Sequence, residues 1–230
     1  MITKIDLEYH ENIAIITICN PPVNALNIAV RKGLLDALKK AEKKINVRAI
    51  ILKGSGKTFP AGADIKEFGL PPQSPDLPII NDYIENINKP VICVLHGNTL
   101  GGGLEIALAC HYRIAHSKTK LGLPEVHLGL IPGAGGTQRL PRLIGISEAY
   151  KMMVNGLPIN AVKALKLGLI NKIIEEIDKD SIKFANNLIA NNEKLERTKD
   201  KNKLINNLNK EQETITKLKN HFKTKYRGQI

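Results

Sequence analysis

The chain has 230 residues, enough for one large domain or a domain with an appendage. Hydrophobic residues make up 43%, which supports a packed core and excludes a disordered chain. The formal net charge of +12 makes polyanions natural partners, but with aromatics at 4% and no Trp there is little to stack on bases, so the composition argues against nucleic acid.

The charge is uneven. Residues 181–230 hold 12 Lys and Arg against 5 Asp and Glu, which reads as a solvated helical face. Apolar runs such as 12–19 and 91–95 are strand-sized and far too short to span a bilayer. The start of the chain lacks a signal or transit pattern, and Arg227-Gly228-Gln229-Ile230 is not a peroxisomal address. The expectation is a cytoplasmic protein with no membrane partner. Cys19, Cys93 and Cys110 lie in apolar segments without metal-ligand spacing, so they read as free thiols, and no metal site is expected.

In chain order, 13–19 is an Ile-rich strand. Residues 28–45 carry Val30, Leu34, Leu35, Leu38, Ala41 and Ile45 at helical spacing with Lys between them, an amphipathic helix. Residues 48–53 form a strand closed by Gly54-Ser55-Gly56. Residues 69–78 contain four prolines and read as a loop. Helix is expected over 76–88, strand over 91–96, helix over 104–110 behind three glycines, and strand over 112–116. Residues 147–155 and 160–167 read as helices and 169–174 as a strand. From about 179 the pattern is helical, polar and rich in Asn and Lys. Strands alternating with helices indicate an α/β core over 1–177, followed by a helical C-terminal region over 178–230.

Several familiar patterns fail. Gly54-Ser55-Gly56-Lys57-Thr58 looks like the end of a phosphate-binding loop, but Ile51 stands where its first Gly belongs, and Pro60 opposes the helix that should follow. No Gly-x-Gly-x-x-Gly follows a strand, no His-Glu-x-x-His exists, and no Gly-x-Ser-x-Gly marks a nucleophile.

Three segments hold. Phe59-Pro60-Ala61-Gly62-Ala63-Asp64-Ile65 has small residues that let backbone approach a ligand. Gly101-Gly102-Gly103-Leu104-Glu105 opens a helix with poor helix formers, offering bare N–H groups and the positive end of a dipole. Leu123-Pro124-Glu125 puts a carboxylate in a turn before the glycine-rich stretch 129–136. Singly each has a bland reading: Glu105 as a first-turn acid, Glu125 as a solvated turn residue, the glycines as loop chemistry. Together they supply N–H donors for an oxyanion and two carboxylates for proton transfer beside it.

The order Ala-Gly-Ala-Asp-Ile, Gly-Gly-Gly-x-Glu, Pro-Glu-x-x-x-Gly-x-x-Pro-Gly-Ala-Gly-Gly-Thr resembles the enoyl-CoA hydratase/isomerase (crotonase) family, over residues 2–174. The run from Cys110 to His116, continuing to Pro141-Arg142-Leu143, is most similar to the N-terminal hydratase/isomerase half of the multifunctional β-oxidation enzymes, the peroxisomal bifunctional type among them. The resemblance implies a spiral of ββα turns, an acyl-CoA substrate, no separate cofactor and a homo-oligomer, trimer or hexamer. It implies that Ala63 and Gly102 give the oxyanion N–H groups, that Glu105 and Glu125 are the acid–base pair, and that Ala61, Gly62, Ala63, Asp64 and Ile65 border the CoA. Both carboxylates together imply hydration of 2-enoyl-CoA, with 3,2-isomerisation as the alternative in the same site; RNA binding, known in some family members, is a further alternative resting on the basic tail. Two close carboxyls share charge, and Glu105 is expected to be the ionised one. The departure is at the end: the tail is short and basic, and nothing in these 230 residues can supply the dehydrogenase part, so a peroxisomal location is expected only as part of a larger protein. The apolar stripe Ile182, Ala185, Leu188, Ile189 is expected to be buried by oligomerisation.

Overall fold

The computed structural model describes residues 4–206 and 208–225, the side chains at 208–210 and 222–225 excepted. The elements in order are β1 (Ile5–His10), β2 (Ile13–Ile18), α1 (Ile28–Lys43), β3 (Ala49–Gly54), α2 (Leu77–Asn86), β4 (Val91–Leu95), β5 (Asn98–Leu100), α3 (Gly102–Ala109), β6 (Tyr112–His116) and β7 (Lys120–Gly122). Then come α4 (Gly136–Ile144), α5 (Ile146–Asn155), β8 (Ile159–Asn160), α6 (Ala161–Leu167), β9 (Lys172–Ile174), α7 (Ile177–Ala190) and α8 (Leu208–Lys225).

Six strands form one sheet in the order β1-β2-β3-β4-β6-β9, antiparallel at β1–β2 and parallel elsewhere. A small sheet, β5-β7-β8, stands beside it. Twice the chain runs from a large-sheet strand to a small-sheet strand and on into helix: β4 to β5 to α3, then β6 to β7 to α4. This is the spiral repeat of the crotonase fold.

Both faces of the large sheet are covered, which is why its inner strands read as unbroken apolar runs. Alternate residues serve opposite layers. Ile50 and Leu52 of β3 join the main core with α1 and α3, while Ala49 and Ile51 face the second cluster with Ile92, Val94 and Ile114. Each fully buried Ile contributes roughly 1.5–3 kcal/mol.

The second cluster corrects the expectation for the tail stripe. Ala185 and Leu188 of α7 are buried in it, and Ile182 and Ile189 pack against it. The stripe is buried by the chain's own sheet, because that face would otherwise be bare. The segment beyond is also tied down: Thr198 Oγ1 donates to Leu108 O at 2.8 Å, and Lys199 N donates to Glu85 Oε1 at 2.7 Å.

Three features escaped the pattern. β1 is largely exposed and polar, α4 contains Pro141, and the small-sheet strands are two or three residues long.

Candidate active site

Helix α3 is fixed at its C-terminal end first. Arg113 is buried, and its guanidinium donates to Leu169 O at 2.8 Å, Cys110 O at 2.6 Å and Ala107 O at 3.3 Å. A cation there adds donors to the carbonyls at the end of the helix and complements its dipole. The N-terminal end opens through Gly101, at φ +49°, a conformation that L side chains rarely adopt. The segment 60–63 crosses directly over this end: a Cβ on Gly103 would lie 1.8 Å from Pro60 O. Only glycine fits.

The crossing segment is held by backbone. Ala61 N donates to Val23 O at 3.1 Å, and Gly62 O accepts from Leu26 N at 3.0 Å. Asn24 supports the approach by donating to Ser55 O and Thr58 O. As a result Ala63 N lies against the helix start, 3.4 Å from where a Gly102 Cβ would stand. Gly102 is the first residue of α3, where N–H groups have no partner within the helix.

Glu105, one turn into α3, is 3% exposed. Its Oε1 accepts from Ala134 N at 2.7 Å and Gly136 N at 2.8 Å. Burial raises its pKa; the two N–H groups and the Arg139 charge oppose that rise. Glu125 begins a single 3-10 turn, Glu125–Leu128, which ends at Gly129 in the left-handed region. Its Oε1 lies 3.3 Å from where a Gly101 Cβ would stand, and its Oε2 is buried without a protein partner among the described residues. Burial, reinforced by the nearby Glu105 charge, pushes its pKa up to about 7, against its own backbone N–H.

All four residues singled out for chemistry, Ala63, Gly102, Glu105 and Glu125, line one cavity of about 500 Å³. Ala61, Gly62, Asp64 and Ile65 line it too. Much of the remaining lining is apolar, with Phe68, Leu70, Leu77, Leu128, Leu130 and Ile131. Such a lining with a few convergent polar groups is typical of small-molecule sites.

The sequence reading missed Arg31. Among the described residues it is the only cation lining the cavity, and it is already engaged. Its guanidinium donates to Glu67 Oε2 at 2.6 Å, Leu26 O at 2.8 Å and Pro75 O at 2.8 Å. Glu67 in turn accepts from Ile28 N at 2.8 Å. This clamp fixes both ends of the 68–75 wall. No group of three or more His, Cys, Asp or Glu among the described residues is placed to hold a metal ion, and no helix among them is long and apolar enough to cross a membrane.

Comparison with known proteins identifies the family. The family described as enoyl-CoA hydratase/isomerase matches residues 8–229. The peroxisomal bifunctional enzyme of Danio rerio is 48% identical over 165 residues, 72% of this chain and 23% of that protein. A probable enoyl-CoA hydratase of Bacillus subtilis is 43% identical over 195 residues, 79% of this chain and 76% of that one. The crystal structure of enoyl-CoA hydratase from Bacillus anthracis matches with a TM-score of 0.76 at 34% identity, covering 81% of this chain and 77% of that one. The chain thus spans about a quarter of the bifunctional relative and about three quarters of the Bacillus subtilis protein. With its matched residues running almost end to end, it belongs to the enoyl-CoA hydratase/isomerase family.

Proposed function

We propose that this chain is an enoyl-CoA hydratase, which adds water across the 2,3 double bond of a 2-enoyl-CoA in fatty-acid β-oxidation. The observation that carries the reading is the pairing of Glu105 and Glu125 on one cavity that the Ala63–Gly102 backbone also lines.

The thioester oxygen sits between the N–H groups of Ala63 and Gly102. A fixed donor of this kind is worth roughly 3–4 kcal/mol as charge develops on the oxygen. Glu105 is the ionised partner, because two N–H groups stabilise its carboxylate. Glu125, with a pKa raised to about 7, still holds its proton in about half of the molecules at neutral pH. Water bound between them loses a proton to Glu105 as its oxygen bonds to C3. The C2–C3 π electrons move toward the thioester, and the enolate oxygen is held by the two N–H groups. Glu125 then gives its proton to C2, leaving a 3-hydroxyacyl-CoA. Proton exchange with solvent restores the pair. The same Glu125, without water, can carry a proton between C4 and C2, which is 3,2-isomerisation.

No separate cofactor takes part in this scheme, since CoA belongs to the substrate. A homo-oligomeric assembly, which the family resemblance implies, is measured directly by light scattering.

The test is the hydration of crotonyl-CoA, followed by loss of the conjugated enoyl-thioester absorbance. Turnover that disappears in Glu105→Gln supports the reading. Calorimetric binding of crotonyl-CoA without turnover overturns it in favour of a binding scaffold.

A further inference from the structure

The two N–H groups on Glu105 come from residues 134 and 136, and something must hold that loop in place. Ala134 is gripped on its other side. Its carbonyl accepts from Asn81 Nδ2 at 2.9 Å and from Arg139 Nη1 at 3.3 Å, both buried. Between the donors Gly135 adopts φ +95°, and a Cβ there would stand 2.2 Å from Arg139 Nη1. The guanidinium therefore lies directly against the turn. Arg139 is itself held: Nη2 donates to Glu85 Oε2 and to Asp82 Oδ1, each at 2.9 Å, and Nε donates to Glu85 at 3.2 Å. Glu85 is 2% exposed, and its second oxygen accepts from Lys199 N. A relay of hydrogen bonds thus runs from the C-terminal segment, through α2 and α4, to the loop that contacts Glu105.

We propose that Arg139 and Asn81 are positioning residues, which lock the 134–136 turn so that both of its N–H groups point at Glu105 and favour its charged form. Neither residue touches the substrate. They act on Glu105 through the Ala134 carbonyl and the conformation of Gly135, and Arg139 also through its charge. The proposal rests on Glu105 being the base for hydration.

The experiment is the rate–pH profile of crotonyl-CoA hydration for two variants. Removing Arg139 alone would leave Glu85 buried and unpaired, so the first variant is the double change Glu85→Gln with Arg139→Met, which removes both charges together. The second is Asn81→Leu, which deletes one donor to Ala134 and an amide oxygen that has no protein partner among the described residues. Both should move the acid limb of kcat toward higher pH, by about one pH unit for the double variant and less for Asn81→Leu, because a carboxylate that loses N–H donors holds its proton more tightly. The double variant also loses the Arg139 charge, so the shift in the uncharged Asn81→Leu change is the one that carries the positioning role. KM should change less than about twofold, since no contact with substrate is removed. An acid limb that stays where it is in the folded variants overturns the proposal, even if kcat falls, because a merely structural role lowers the rate without moving the limb. If the double variant does not fold by circular dichroism, the Asn81→Leu profile decides by the same criterion. Glu105→Gln is run alongside. Hydration that survives in it removes the base assignment itself, whereas its loss together with unmoved limbs in the other variants removes only the positioning role.

Discussion

The two carboxylates are chemically the same group in two different settings. Glu105 sits on a regular helix, buried, with a glycine turn folded onto one oxygen. Glu125 starts a single 3-10 turn at the cavity rim, with one oxygen buried and unpartnered among the described residues. Both are raised by burial, but only Glu105 has a pair of N–H groups from the facing loop to offset it. Hydrogen bonding to the charged form, more than depth, therefore separates the proposed base from the proposed acid.

The sharpest test of that contrast removes each charge in turn. Glu125→Gln should abolish both hydration and isomerisation, because no other group carries a proton to C2. Glu105→Gln should lower hydration by about a thousandfold, within the usual range for general acid–base groups, yet leave some isomerisation of a 3-enoyl-CoA. Equal isomerase activity in the two variants would erase the distinction.

Adding one methyl probes how tightly each setting is built. A Cβ on Gly136 would stand 3.0 Å from Glu105 Oε1 and 2.9 Å from Pro132 Cβ, whereas one on Gly129, after Glu125, meets nothing within 4 Å. Gly136→Ala should cost roughly 10- to 100-fold in kcat for hydration through displacement of Glu105. Gly129→Ala should mainly cost about 1 kcal/mol of stability for strain at positive φ. Steady-state kinetics and thermal melts on both variants make the comparison.

Stability against pH sharpens it further. Glu125 has a folded-state pKa of about 7, above the ordinary carboxylate value of 4.5. Folding is therefore unpenalised by this group below about pH 4.5, and stability is lost as pH rises through 7. Glu125→Gln should be more stable than the parent by about 1–3 kcal/mol at pH 8 and show no such gain at pH 4. Chemical denaturation at the two pH values reads the difference directly.

The smallest expected effect concerns the excess positive charge. With Arg31 committed to Glu67, attraction of CoA phosphates falls to lysines outside the cavity lining. Affinity for an acyl-CoA should fall only a few-fold between low and physiological salt, because exposed charges are screened over about 8–10 Å. Calorimetry in two salt concentrations measures it.

What could be read in the sequence follows from where each residue acts. Glu105, Glu125 and the glycines of 101–103 stood out because carboxylates beside helix-breaking residues have few joint explanations other than a site. The inner strands were legible because both faces are buried. Arg31 was hidden: in the pattern of α1 it resembles a solvated cation on an amphipathic helix, though it is only 8% exposed. Asn81, Glu85 and Arg139 were hidden for another reason. They meet across more than 50 residues and act through one carbonyl, which leaves no local signature. The stripe on α7 was read correctly as apolar, but its partner was the chain's own sheet, and periodicity says nothing about which surface a helix will meet.

The Arg31 clamp has a practical consequence. The wall between Glu67 and Asp76 is a span between two anchored posts, and none of the donors to Glu105 or the Ala63–Gly102 backbone belongs to it. Under the proposed function, lengthening or trimming that span would redraw the space open to an alkyl tail while the thioester end kept its register. Tail-length preference would then be a separable property of this scaffold, something to be retailored on a single removable panel without reopening the chemistry behind it.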